Sequence, residues 1–141
     1  MSTKIALLMS TNDWEKMNIY LKHLSKNQRA AWRNNLKYSK RFLESIGYPI
    51  NLYFFHRNIV KFRANCVGIF QKKDRMWLDG EIPEEYKSSK TEFTTAVYFD
   101  KLKRVKDTHI SEFPKWDDPS ESFERGQQGL LRVVDLLDIE N

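Results

Sequence analysis

The 141-residue chain has one cysteine, five glycines and no long apolar run. A single thiol, Cys66, excludes a disulfide framework within the chain and any cysteine-rich zinc site. It stands in an alternating apolar stretch, which predicts a buried and inert thiol. The glycines are isolated from one another, so no glycine-rich phosphate loop is present. No segment approaches the roughly 18 apolar residues of a membrane-spanning helix. The opening Met1-Ser2-Thr3-Lys4-Ile5 lacks the apolar centre of a secretory signal. These absences point to a cytoplasmic protein with no membrane partner. The histidines His23, His56 and His109 are scattered, none at metal-ligand spacing, so neither a metal nor another cofactor is expected.

Acid is also missing locally. Between Glu15 and Glu44 there is no carboxylate, yet Lys16, Lys22, Lys26, Arg29, Arg33, Lys37, Lys40 and Arg41 all fall there. From Lys22 to Lys40 the cations recur every three or four residues, which would align them along one face of a helix. A solvated face normally mixes signs to avoid repulsion at this spacing, so an unmixed row points to phosphate. The net charge of +5 and the sequence pI near 9.3 permit a polyanionic partner.

A hydrophobic share of 40 % is enough for one domain with its own core, spanning residues 1–141. "KIALLMS" (4–10) reads as a buried strand closed by "TND", with Asn12 or Asp13 as a helix cap. "WEKMNIYLKHL" continues as helix, with Trp14, Met17, Leu21 and Leu24 at helical spacing, and helical propensity persists until Gly47 and Pro49. "INLYFFH" (50–56) and "IVKFRANCVGIF" (59–70) read as paired strands. In the second, Val60, Phe62, Ala64 and Cys66 form a core face against a wet face of Lys61, Arg63 and Asn65. Residues 71–91 form a loop longer than a plain connection needs. "EFTTAVYF" (92–99) and "KLKRV" (101–105) predict two more strands, and "GLLRVVDLL" a last strand or short helix. One strand, then helices, then a run of strands predicts an α+β fold, a small curved β-barrel flanked by helices.

One acidic segment resembles a site for metal-dependent phosphodiester cleavage: Asp79, Glu81, Glu84, Glu85 and Lys87 in "DGEIPEEYK". Such sites need rigid strands, and this stretch carries Gly80 and Pro83, so a solvated loop is the better reading and no enzyme is expected. Aromatics in polar company are more informative: Trp32 in "RAAWRNN", Trp77 in "RMWLDG" and Trp116 in "PKWDDP". Each alone would more often be packed than exposed. Together with the cations they form a pattern in which rings stack on bases while cations hold phosphates. Two facing tryptophans could enclose one extruded base.

In order, these features resemble the PUA-like superfamily, in particular its YTH and EVE branches and the head domains of McrBC-type restriction enzymes. "IALLMSTND" is similar to the first strand and polar exit of those modules, and "AAWRNN" to the place of their first cage tryptophan. "INLYFFHRNIVKFRANCVGIF" resembles their central hairpin, and "RMWLDGEIP" the loop with the second cage tryptophan. "FERGQQGL" is similar to a late YTH segment whose arginine meets the nucleic-acid backbone. The resemblance implies a base cage walled by Trp32 and Trp77, with Leu78, Ile82 or Tyr86 as a third wall and Asn12 as a polar contact to the base edge. It implies phosphate contact by Arg125, beside the Arg29, Arg33, Lys37, Lys40 and Arg41 of the basic stretch. Gly126 stands where YTH modules have an aspartate, and Arg33 where they have a small hydroxyl residue. The implied partner is DNA or RNA carrying a modified base, methyladenine first and a modified cytosine second, read alone or within a restriction or regulatory assembly. A nuclease using residues 79–87 and a protein-interaction module anchored by the tryptophans are the alternatives.

Overall fold

The central strand β3 (Ile50–His56) has no polar face, and the architecture follows from it. Leu52 and Phe54 point to one side and Tyr53 and Phe55 to the other, all of them buried. A strand covered on both sides belongs inside a sheet with layers above and below. The computed structural model describes residues 4–34, 36–71, 81–86 and 94–136. It has that arrangement. Beside β3 the chain contributes β1 (Ile5–Ser10), β2 (Ala30–Asn34), β4 (Ile59–Gln71), β5 (Thr95–His109) and β6 (Leu131–Val134). Two helices, α1 (Glu15–Leu24) and α2 (Lys40–Glu44), complete it.

The six strands form one mixed sheet in the order β2-β5-β4-β3-β1-β6. β1 runs parallel to β3, and every other neighbouring pair is antiparallel. The α+β class holds. The expected barrel does not close among the described residues: β2 and β6 lie at opposite ends of the order and are not paired. Three register shifts between β4 and β5 bend the two long strands, as bulges do, without bringing those edges together.

Two layers of core follow from β3. On the helix side, Leu7, Met9, Leu52, Phe54, Ala64 and Cys66 pack with Met17 and Tyr20 of α1. On the other side, Ala6, Leu8, Tyr53, Phe55, Ile110 and Phe113 pack together. A third cluster, Ala31, Ala96 and Tyr98, has Val67, Phe70 and Ile82 against it. The β3–β4 turn, Arg57-Asn58, has φ of 51° and 66°, the left-handed pair that a two-residue hairpin turn requires.

Several sequence expectations need correction. The helix does not run on from α1 to Gly47. It stops at Leu24, where the Asn27 side chain donates to the His23 carbonyl (3.0 Å), and residues 30–34 become a strand. The cations from Lys22 to Lys40 therefore share no helix face. Val60 joins the core opposite Phe62, Ala64 and Cys66, because the register shifts at Phe54/Phe55 and at Val60/Phe62. Residues 95–109 are one strand rather than two. The helix cap is split: Trp14 holds the cap position, while the carboxylate of Asp13 accepts the Lys16 N–H (3.0 Å). Cys66 is buried as expected, and burial pushes its thiol up to about 12.

Two outcomes follow from this packing. At pH 8 a disulfide reagent should leave Cys66 untouched in the native protein and titrate it fully after unfolding. At Gly126 an added Cβ would overlap the Phe55 ring, which is only 3 % exposed and has little room to move. Gly126→Ala should therefore lower urea stability by about 1–3 kcal/mol. Gly47→Ala, with nothing within 4 Å of its Cβ, is the control.

Candidate base-binding site

β2 is an edge strand, paired on one side with β5 (Trp32 opposite Val97). Its alternation sends Ala30 and Trp32 to the helix side and Ala31 to the opposite face. Trp32 is thus held at the margin of the main core, half-buried. Its ring stacks on Tyr20 (centroids 5.1 Å, interplanar angle 23°) and meets Phe54 at a tilt (5.4 Å). The Lys16 ammonium lies 5.5 Å from the ring centroid, within cation–π range.

Tyr20 is the floor of this arrangement. It is buried, touches Phe99 (5.2 Å) as well as Trp32, and its hydroxyl donates to the Ala31 carbonyl (3.2 Å). Burial drives its phenol far above the ordinary range, so the group stays neutral and a donor. Tyr86 stands beside Tyr20 at 5.9 Å. Burial raises its phenol too, assisted by the negative charges of Asp13 and Glu85. The Asn12-Asp13 exit of β1 therefore lies in the electrostatic neighbourhood of Tyr86.

The segment 81–86 follows the outer edge of β2. Ala31 N–H donates to the Glu81 carbonyl (2.7 Å), and Arg33 Nη2 donates to the Tyr86 carbonyl (3.0 Å). Ile82 packs on the Ala31 face of the sheet, whereas Tyr86 packs on the Trp32 face. Of the expected third walls, Tyr86 thus stands with Trp32 and Ile82 does not. Trp77 and Leu78 lie outside the described residues.

Asn12 is exposed on a pinned turn. Thr11 N–H donates to the Phe55 carbonyl (2.8 Å), and His56 Nδ1 donates to the Thr11 carbonyl (3.0 Å). Arg125 is exposed at the same end of the sheet. Its neighbour Gly126 donates its N–H to Asn58 Oδ1 (2.8 Å), in the turn two residues beyond His56. The ring of Trp14 meets His56 edge-on (5.8 Å), lies against Phe62 (5.7 Å) and has the Lys61 ammonium 5.9 Å away. Trp116 is half-buried, and its backbone N–H donates to the Arg132 carbonyl (3.2 Å).

The expected phosphate contacts are dispersed. Arg29 is exposed in the turn before β2, with its carbonyl accepting from His23 Nε2 (2.9 Å). Lys37 is exposed between β2 and α2, and Lys40 and Arg41 are exposed on α2. Lys40 also lies 3.8 Å from Glu44. Arg33 is engaged in holding Tyr86. Of the acidic segment, Glu81 is buried and Glu85 exposed, while Asp79 and Lys87 lie outside the described residues. Among the described residues no three His, Cys, Asp or Glu side chains converge on a metal position, and no helix is long and apolar enough to cross a membrane.

Sequence reasoning passed over Tyr20 and the contact of Lys16 with Trp32. The signal for Tyr20 was present: Met17, Tyr20 and Leu24 recur at helical spacing, and Met17 and Tyr20 are buried with Leu24 packed partly buried beside them. Nothing local reveals Lys16, because its target is a strand distant in sequence. Comparison of the chain with protein-family models, with curated proteins and with solved structures returned no match.

Because Trp32 rests on Tyr20 and Phe54, removing it opens the margin of the core. Trp32→Ala should cost on the order of 2 kcal/mol in denaturant unfolding, less than the roughly 3–5 of an enclosed aromatic. Trp32→Phe should recover most of that loss.

Proposed function

We propose that the protein is a nucleic-acid-binding module that captures a modified base, with Trp32 as one wall of its cage. The observation that carries this reading is a tryptophan held half-buried at a sheet edge, backed by Tyr20 and with the Lys16 ammonium over its ring. A ring fixed from behind is a stacking surface that needs no further ordering, and stacking one base on such a ring is worth about 1–3 kcal/mol. Lys16 is an ammonium that an incoming base would displace and that would then face its phosphate. Asn12 is exposed on the neighbouring turn as a contact to the base edge, and Tyr86 serves as a side wall. Trp77, from the resemblance to YTH and EVE modules, is the opposing wall.

Methylated adenine is the first choice of base and a modified cytosine the second. A methyl group costs little to desolvate in an apolar slot, so it adds affinity where a polar substituent would not. Arg125, Arg29, Lys37, Lys40 and Arg41 supply phosphate contacts spread around the site. Arg33 has a different part: it holds Tyr86 in place. The order of the sequence motifs is what suggests a PUA-like relationship, and the sheet is open among the described residues. No catalytic step is assigned.

Matched DNA and RNA oligonucleotides, with and without N6-methyladenine or 5-methylcytosine, test this reading. The methylated adenine strand should bind more tightly, Trp77→Ala should erase about 1–3 kcal/mol of that preference, and Trp32→Phe, which keeps a smaller stacking face, should erase part of it. Lys16→Gln should weaken all strands alike and reduce the salt slope by about one unit. Equal affinity for methylated and unmethylated strands would remove the cage. Metal-dependent nicking lost in Glu85→Ala would favour the nuclease instead.

A further inference from the structure

The arrangement at Trp32 recurs at Trp14. Both tryptophans are half-buried, each lies against a second ring, and each has a lysine ammonium within cation–π range. Trp32 has Tyr20 and Lys16, the ammonium 5.5 Å from its ring centroid. Trp14 has Phe62, with centroids 5.7 Å apart, and Lys61, whose ammonium lies 5.9 Å away. Aromatic surface joins the two. Trp32 meets Phe54, and Phe54 stands opposite Phe62 in the β3–β4 register, so four rings run along the helix side of the sheet.

The second position also has an anion beside it. Asp107 sets Oδ1 on Arg104 Nη2 (2.6 Å) and Oδ2 near Lys61 Nζ (3.4 Å), one oxygen to each cation. Arg104 is held independently of this carboxylate. Its Nη1 donates to the carbonyls of Lys61 (2.9 Å) and Val105 (3.2 Å), and its guanidinium lies 5.7 Å from the Phe62 ring centroid. The hydrogen bond from Arg104 holds the Asp107 carboxyl below the usual carboxylate range, so the group is ionised at neutral pH. The Asp107 side chain is nevertheless 53 % exposed, and an ion pair so open to water is weak and readily exchanged for a competing anion.

We propose that Trp14, Phe62, Lys61 and Arg104 form a second nucleotide position, so that the ligand is a single strand lying past both tryptophans. A base stacks at Trp14, and its phosphate takes the place between Lys61 and Arg104 that Asp107 fills in the unbound protein. Two phosphate oxygens then reproduce the two contacts of the carboxylate. A duplex serves such a row poorly, because its bases are stacked on one another and each must be extruded at a cost. The bases of a single strand offer their faces without that cost. Asp107 is thereby a competitor built into the site, lowering affinity for every sequence alike. The proposal rests on the nucleic-acid reading of the Trp32 site, but not on base modification.

Fluorescence anisotropy with the whole protein and labelled, unmodified DNA and RNA strands of about 12 nucleotides tests it against the corresponding duplexes. A single strand should bind at least about tenfold more tightly than its duplex. Asp107→Asn, a surface change, should tighten single-strand binding roughly two- to fivefold by removing the competing charge. Arg104→Gln should weaken it and flatten its salt slope by about 0.7 of a unit, the share of one phosphate on a single strand. Trp14→Ala, checked for folding by circular dichroism, should weaken it at least about fivefold. Equal or tighter binding of the duplexes, or unchanged or weaker single-strand binding in Asp107→Asn, would overturn the proposal. Asp107→Asn decides the matter if Trp14→Ala fails to fold. Single-strand preference without methyl preference would remove only the cage at Trp32, methyl preference with equal duplex binding only the second position, and no binding of any strand would remove both.

Discussion

The burial of β3 on both faces is the constraint from which the rest of the structure hangs. Leu52, Tyr53 and Phe54 have no exposed surface, and Phe55 has almost none. Burying such side chains is worth roughly 1.5–3 kcal/mol apiece, so exposing either face would cost several kcal/mol at once. One face must be roofed by α1 and the other by the segment around Ile110 and Phe113. The two halves of the candidate site descend from adjacent residues of this strand. Phe54 supports the ring of Trp32, and Phe55 is the surface against which Gly126, next to Arg125, is pressed.

Trp32 consequently has a double character. It closes the margin of the main core and it offers aromatic surface at the sheet edge. Under the proposed function such a position would tie recognition to folding, because the residues that fix the ring are the ones that fill the core. Tyr20 illustrates the coupling: its ring backs Trp32 while its hydroxyl is bonded to the Ala31 carbonyl of the same strand. Rigidity gained this way lowers the entropy cost of gripping a flat ligand. Arg33 extends the same logic to the next segment by bonding the Tyr86 carbonyl, and is thereby withdrawn from the phosphate-facing set.

By itself the sequence determined what depends on short-range pattern. Alternation and apolar runs marked β1, β3 and β4 and left the β6 segment open between strand and short helix, the helical stripe marked α1, and an apolar setting marked Cys66 as buried. The aromatic character of the candidate site was also legible, because tryptophans in polar company stand out locally. Tertiary structure decided everything that rests on partners distant in the chain. Ala30, Ala31 and Trp32 have good helical neighbours, yet antiparallel pairing with β5, opposite Phe99, Tyr98 and Val97, outweighs a preference worth a few tenths of a kcal/mol per residue. Bulges in β4 and β5 sent Val60 to the far core and joined two expected strands into one, since register belongs to a pair of strands and not to either alone. For the same reason Ile82 and Tyr86, four residues apart, came to lie on opposite faces of β2, and only the sheet edge between them decided which stands beside Trp32.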